Sequence, residues 1–308
     1  MRRKKYFLTA AMLITTALTF SACSGSRQFN NTAIHSYKNN NACYRVLQSA
    51  KSNQKIVDKN NKAATSKDLQ NDLQNAANSW KNVAMQCNSR FAQGVVFSAQ
   101  NTWKLVNLGQ SNLEQGNESS AAGAYKIANQ MESNVYKKLY DFANSTKNLH
   151  LHWNYLPLAQ AALEQDKLAF MLQTLAAKDV DNISLRQSDI TATIANTLMH
   201  FASNGKDLRQ KVYEIPQKNL DSGVAKDEAS GKDLPIAAIA YMDCARGELD
   251  ALNQVIFPAD KNGNVDHNQI FSKTNQDFIN ILSDIAISHI ISAYSYGYPS
   301  DASAIFEQ

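Results

Sequence analysis

The segment LPLAQAALEQDKLAFMLQTLAAK, residues 156–178, is the most informative part of the chain for its architecture. Its apolar residues recur at spacings of three and four, the period of an α-helix, and cover much of the helix circumference. A helix that is apolar on most sides is buried by its neighbours, which predicts a central position in a helical bundle. Pro157 suits the first turn of this helix, where the missing N–H of proline is no loss.

The rest of the chain follows the same helical pattern outward from that segment. The 308 residues include only 11 glycines and 5 prolines, and no proline precedes Pro157, so helix breakers are few. One apolar stripe runs from Leu69 to Cys87, and Ser184 followed by Gln187 is a capping box. Strand-like alternation never persists beyond a few residues. We therefore predict an all-α fold, a helical bundle of about eight helices.

A break in the helical pattern at residues 148–156 divides the predicted bundle. It predicts an N-terminal helical lobe at residues 42–147 and a C-terminal helical lobe at residues 148–308, packed together. Residues 214–234 contain Pro216, Gly223 and Gly231 and are expected to form a long surface loop. Thr274 is expected to cap the last helix.

The first 20 residues have the layout of a secretory signal. Residues 1–5 carry four positive charges, and residues 6–20 carry none. Fifteen helical residues reach about 22 Å, too short to span a hydrocarbon core of about 30 Å comfortably. An uncleaved anchor helix is therefore the weaker alternative.

The cleavage region Phe20-Ser21-Ala22-Cys23 resembles the lipobox of bacterial prolipoproteins, with Phe20 in place of the usual leucine. The resemblance implies a signal peptide at residues 1–22, cleavage before Cys23 and attachment of diacylglycerol to its thiol. Acyl chains such as palmitate would then hold the protein at the cell membrane or outer envelope, outside the cytoplasm. The polar residues 23–41 are predicted to be a flexible tether. The alternative is an ordinary secretory signal with a chance cysteine.

Three cysteines follow Cys23, and none belongs to a CxxC pair. Export implies an oxidising compartment in which disulfides persist. Cys43 and Cys87 both lie in the N-terminal helical region and are the preferred pair, although sequence alone leaves the connectivity open. Cys244 lies in an apolar helical segment and is expected to be a buried free thiol.

Charged residues inside apolar helical segments are the candidates for chemistry. Asp166 lies between Leu163 and Phe170 on helical spacing, and an unpaired buried carboxylate there is costly. The favoured interpretation is a buried ion pair of Asp166 with Arg246 that fixes helix register. The alternative is a catalytic carboxylate.

The sequence predicts no metal and no cofactor. None of the six histidines has glutamate three residues before it, so the Glu-x-x-His signature of ferritin-like di-metal carboxylate proteins is absent. His150 and His152 alternate beside Trp153 without a further ligand adjoining them. Residues 260–266 carry oxygen-bearing side chains at alternate places, but Val265 and Phe271 break the EF-hand pattern.

Charge excludes one broad class of partner. Four of the 31 basic residues lie at positions 2–5, so the chain from Cys23 onward has 27 basic and 27 acidic residues. Nucleic-acid binding depends on an excess of basic residues, so no nucleic-acid partner is expected. Phosphate-binding loops and hydrolase motifs are also absent, which argues against an enzyme.

Together these features predict an envelope or cell-surface lipoprotein with a binding or scaffolding role, attached to the membrane by its N-terminal lipid and meeting a protein partner in the envelope. The first alternative is a small-ligand receptor with an interhelical pocket. The others are a cell-wall-acting enzyme that uses carboxylates such as Asp166 and Asp243, and a metal-free ferritin-like protein.

Overall fold

The computed structural model describes residues 41–60, 66–113, 120–147, 153–202, 205–252 and 272–300. Within these residues the fold is all-α, as the sequence predicts, with one small antiparallel sheet. The helices are α1 Asn41–Asn60, α2 Ser66–Gln86, α3 Phe91–Leu113, α4 Ser120–Thr146, α5 Tyr155–Ala177, α6 Leu185–Phe201, α7 Gln217–Ser222, α8 Ile236–Leu252 and α9 Lys273–Ser295; the strands are β1 Val224–Lys226 and β2 Asp233–Pro235. Residues 1–40, which carry the predicted signal, lipidation site and tether, lie outside the described residues, as do His150, His152 and residues 260–266.

Helices α5, α8 and α9 form the centre of the bundle. Helix α5 packs against α6 and α8, and α9 packs against α8, α4, α3 and α2. The central position predicted for the helix that contains Pro157 is confirmed, because α5 packs against both α6 and α8 and buries residues along its whole length. Asn154 caps α5 by accepting from the Leu156 N–H, and Pro157 lies in the first turn.

Helix α9 is buried even more completely than α5. Among the described residues it is the only helix long and apolar enough to cross a membrane, and 89% of its apolar stretch is buried inside the protein. Such burial is characteristic of a core helix in a bundle.

Helices α1, α2 and α3 form a closely packed layer on one side. A short 3-10 turn, Asn88–Arg90, joins α2 to α3. The backbones of these two helices meet at Gly94, where an added Cβ would lie 2.7 Å from Trp80 O and 2.8 Å from Ala84 Cα. Only glycine fits such an approach.

One hydrophobic core crosses the predicted lobe boundary at residue 148. An aromatic cluster links Phe142 of α4, Trp153 before α5, Phe201 of α6 and Phe278 of α9. The rings of Trp153 and Phe278 stack with centroids 4.0 Å apart, and Trp153 Nε1 donates to Asn275 Oδ1 at 3.0 Å. The two predicted segments therefore pack against each other through shared aromatic side chains.

Of three local predictions from the sequence, one helix cap is confirmed, whereas a second helix cap and a surface loop are wrong. The capping box of α6 is confirmed: the Ser184 N–H donates to Gln187 Oε1 at 2.8 Å. The last helix is capped by Ser272, which accepts from the Asn275 N–H, and Thr274 already lies inside it. Residues 214–234 are not a plain loop, because they contain α7, β1 and part of β2, with Gly223 in the left-handed conformation that ends α7.

Candidate functional site

Four polar side chains meet in the interior of the bundle. We call Gln165 of α5, Cys244 and Glu248 of α8 and His289 of α9 the buried polar cluster. Each of the four is at most 3% exposed to solvent. Polar groups this deeply buried need partners, since an unsatisfied one destabilises the fold.

Helical geometry explains how these residues come together. Cys244 and Glu248 are four residues apart and therefore share one face of α8. Gln165 lies on the buried stripe of α5, in register with Leu158, Ala162 and Leu172. His289 stands in the most buried stretch of α9, between isoleucines at 285, 287, 290 and 291.

The donor and acceptor atoms of the cluster converge on one ring nitrogen. His289 Nδ1 lies 2.8 Å from Glu248 Oε2, 3.4 Å from Gln165 Nε2 and 3.8 Å from Cys244 Sγ. Gln165 Nε2 also donates to Glu248 Oε1. The other amide atom, Gln165 Oε1, is buried and has no hydrogen-bond partner among the described residues.

The charges in the cluster depend on one another. Burial lowers the pKa of His289, but the negative charge of Glu248 and its hydrogen bond outweigh burial, so that the pKa is raised overall. Burial raises the pKa of the Cys244 thiol well above its ordinary value, and the charge of Glu248 raises it further. In this arrangement the thiol is protonated and the imidazole readily takes a proton.

The geometry does not suit a cysteine nucleophile. A catalytic histidine uses one ring nitrogen toward the nucleophile and the other toward an orienting carboxylate. Here the thiol and the carboxylate both face Nδ1 of His289. The raised pKa and the burial of Cys244 also disfavour thiolate chemistry with a substrate.

A second polar network lies beside the buried polar cluster. Glu132 Oε1 accepts from Ser292 Oγ at 2.7 Å, and the Tyr241 hydroxyl interacts with the same carboxyl group. Burial raises the pKa of Glu132, and the charge of His289 opposes that rise.

Gln187 extends this second network to the start of α6. Its oxygen caps α6, and its Nε2 donates to the hydroxyls of Tyr296 at 3.1 Å and Tyr241 at 3.3 Å.

This second network borders a cleft between α4 and the start of α6. The cleft has a volume of about 490 Å³ and is mainly polar. Lys126 and Arg186 lie at its exposed rim, whereas Glu132 and Gln187 line it from the interior. Within the part of the chain that the structure describes, Glu132 Oε2 has no donor at hydrogen-bonding geometry.

The predicted ion pair between Asp166 and Arg246 is wrong. Arg246 pairs with Asp243 at 3.0 Å and with Asp227 at 3.6 Å, and its guanidinium lies 5.3 Å from the centroid of the Tyr298 ring. Asp166 instead accepts a hydrogen bond from the Tyr213 hydroxyl at 2.7 Å.

The error is one of helix register. The buried stripe of α5 passes through Gln165, whereas Leu163, Asp166 and Phe170 are only half-buried. Adjacent helical residues point about 100° apart. Gln165 therefore faces α8, and Asp166 faces the segment that carries Tyr213.

The cysteines have two different fates. Cys43 and Cys87 form a disulfide, the pairing preferred from the sequence. Cys244 is a buried free thiol, as expected. What the sequence interpretation missed is that Cys244 belongs to a polar cluster: the Cys-x-x-x-Glu spacing on α8 was a visible signal, but no local pattern marked His289 or Gln165 as its partners.

Comparisons with protein-family models, curated proteins and solved structures found no match to this chain.

Proposed function

We propose that the protein is an envelope lipoprotein, anchored outside the cytoplasm through Cys23, with a binding or scaffolding role. The observation that carries this proposal is the disulfide between Cys43 and Cys87, because such bonds persist mainly in oxidising compartments. It agrees with the charged and apolar segments of residues 1–20 and with the lipobox-like sequence ending at Cys23.

The position of the disulfide suits an anchored protein. Cys43 lies in the first turn of α1, close to the predicted tether at residues 23–41. The bond connects that turn directly to Cys87, beyond the last residue of α2. A pull on the tether would thus be carried covalently into two helices at once.

Binding is favoured over catalysis by the placement of the carboxylates. The enzyme alternative relied on Asp166 and Asp243, yet Asp166 bonds Tyr213 and Asp243 pairs with Arg246. Neither residue lines the cleft between α4 and α6.

The anchor is tested by mass spectrometry of the mature N-terminus from membranes of a bacterial host that makes the full chain. We expect a chain that begins at Cys23 and carries acyl groups. Cys23→Ala should lose the acyl mass, and the matched control Ser24→Ala should keep it. Cleavage elsewhere, or an unmodified Cys23 thiol, would overturn the anchor.

The compartment is tested separately by thiol alkylation of the protein taken from cells and denatured. Cys43 and Cys87 should resist alkylation unless a reductant is added first. Free thiols at both positions would contradict export to an oxidising compartment.

A second candidate function is binding of a small polar ligand in the cleft between α4 and α6. The observation that favours it is the buried carboxyl of Glu132, whose Oε2 has no donor among the described residues, behind a rim that carries Lys126 and Arg186. A zwitterion with an amine for Glu132 and a carboxylate for the rim fits this charge pattern.

Calorimetric titration with lysine tests this second candidate function. Glu132→Gln should weaken binding at least about tenfold, whereas the control Asn134→Ala should leave the affinity unchanged. The absence of binding heat with the wild type would exclude this ligand.

A further inference from the structure

We propose that the buried polar cluster is a closed binding site for one Zn²⁺ ion, held by Cys244, Glu248, His289 and Gln165. The inference is independent of the proposed anchor, since it rests only on side chains of α5, α8 and α9. Its basis is the convergence of three different ligand atoms: one atom each from Cys244, Glu248 and His289 lies within 4.8 Å of the others.

The separations are close to those of a tetrahedral zinc site. Zinc binds sulfur at about 2.3 Å and imidazole nitrogen at about 2.0–2.1 Å, which places the two ligand atoms about 3.6 Å apart at the tetrahedral angle. Cys244 Sγ and His289 Nδ1 are 3.8 Å apart. Glu248 Oε2 lies 2.8 Å from Nδ1 and would have to retreat by about 0.5 Å as the ion replaces their hydrogen bond.

Gln165 supplies the fourth ligand. Its Nε2 already contacts both Glu248 and His289, whereas its buried Oε1 has no partner in the described ranges of the chain. The nitrogen and oxygen of a glutamine amide are nearly indistinguishable in shape, so a half-turn of the amide exchanges them. That turn presents Oε1 to the ion, which gives the buried oxygen a partner, and it replaces the present bond of Nε2 with Glu248 Oε1.

The ligand set and its charge select the ion. A thiolate and a carboxylate together neutralise a divalent cation. On binding, the Cys244 proton leaves to solvent, and the proton that His289 Nδ1 shares with Glu248 also leaves that nitrogen, so that a neutral imidazole protonated on Nε2 binds the ion. Thiolate and imidazole ligands suit Zn²⁺, whereas Ca²⁺ and Mg²⁺ prefer all-oxygen sites. The sequence predicts no metal because it does not reveal the tertiary contact that adds His289 to the Cys-x-x-x-Glu pair.

Complete burial makes the site structural. Zinc sites with four protein ligands and no open position serve folding, whereas catalytic sites keep a position for water or substrate. All four side chains are at most 3% exposed. An ion there would clamp the three central helices together and would be acquired as the chain folds.

The experiment uses the full chain, unfolded with a chelator and refolded with Zn²⁺, with Co²⁺ or with the chelator still present. We expect about one zinc per chain by elemental mass spectrometry and a sulfur-to-cobalt charge-transfer band with Co²⁺. Zinc at a hundred times its Kd should raise Tm by about 5 °C or more over the metal-free protein.

Cys244→Ser tests the thiolate and should abolish both the stoichiometric zinc and the charge-transfer band. Glu248→Gln should lower zinc affinity at least about tenfold while keeping the band, since the sulfur ligand remains. The matched control Ser288→Ala removes a buried hydroxyl beside His289 that donates to Ile285 O, and it should retain one zinc per chain. The absence of both zinc and the cobalt band from the refolded wild type would overturn the site, and so would unchanged zinc content in Cys244→Ser.

Discussion

Cys43, in the first turn of α1, is bonded to Cys87, which directly follows α2, and their Cα atoms are 5.0 Å apart. The bond borders a small core of its own, in which the rings of Trp80 and Phe97 stack with centroids 4.5 Å apart. Helix α1 depends on this region because it packs mainly against α2.

Removing the disulfide should therefore destabilise the protein substantially. The double variant Cys43→Ala with Cys87→Ala opens a loop of 44 residues, and the chain-entropy model gives a loss of about 3–4 kcal/mol in the free energy of unfolding. Urea denaturation without reductant measures it. The oxidised and reduced forms of the wild type provide the comparison, and a loss below about 1 kcal/mol in the variant would contradict the expectation.

A second prediction concerns the contact of α2 with α3 at Gly94. A Cβ there meets backbone atoms of Trp80 and Ala84, which side-chain rotation does not move. Gly94→Ala should therefore cost about 3 kcal/mol or more through overpacking and helix displacement. Thermal and urea unfolding measure the loss.

Gly247 is the matched control for Gly94, because it also lies inside a helix and is crowded. Its added Cβ would meet the Glu164 side chain, with Cδ at 2.7 Å, and that half-buried side chain is able to turn away. Alanine also favours the helix by about 1 kcal/mol over glycine. Gly247→Ala should change the free energy of unfolding by less than about 1 kcal/mol. Equal losses in the two variants would contradict a role for the backbone contact at Gly94.

The sequence predicted those parts of the fold that depend on local pattern. Residues only a few positions apart determine the buried helix with Pro157 in its first turn and the capping box of Ser184 and Gln187. The two-stranded sheet was missed because its strands have three residues each, too short for alternation to register.

The candidate site was harder to foresee because its register is set by tertiary packing. A helix that is apolar on most sides does not reveal which polar residue faces its neighbour. The sequence therefore points to Asp166, whereas Gln165 is the buried residue. His289 reaches Glu248 across 41 residues and Gln165 across 124. No sequence spacing encodes contacts of that length in the absence of a motif.

A third prediction concerns pH and rests on Asp243. Burial raises the pKa of its carboxyl to about 6, and the attraction of Arg246 only partly opposes the rise. A carboxyl whose folded pKa exceeds its unfolded value makes the protein less stable as pH rises between those two values, here between about 4 and 6. Wild-type stability relative to Asp243→Asn should therefore fall across that interval and stay constant above it.

Urea unfolding of the wild type and of Asp243→Asn at several pH values gives the difference between their free energies of unfolding. A chelator is present throughout, and only this difference is interpreted. Asp207→Asn is the contrasting variant, because its arginine partner Arg209 lowers the pKa of that exposed carboxyl. The stability of the wild type relative to Asp207→Asn should therefore fall as the pH drops below about 4, the opposite direction to the Asp243 effect. A flat difference curve for Asp243→Asn would refute the raised pKa.

The last prediction concerns the aromatic cluster that crosses residue 148. Phe278 is fully buried, stacks on Trp153, and lies 5.3 Å from the ring of Phe142, which belongs to the N-terminal segment. Phe278→Ala should cost about 3–5 kcal/mol, whereas truncation of the half-exposed Tyr140 should cost about 0.5 kcal/mol or less.

The form of the unfolding transition tests the shared core. Because the cluster joins residues from both sides of position 148, far-ultraviolet and near-ultraviolet circular dichroism should report one coincident transition in the wild type. Phe278→Ala should shift that transition as a whole, since Phe142 loses its packing when Phe278 does. Two separate transitions, of which only the one assigned to residues 148–308 moves, would mean that the segments unfold independently and that the stacked rings do not couple them.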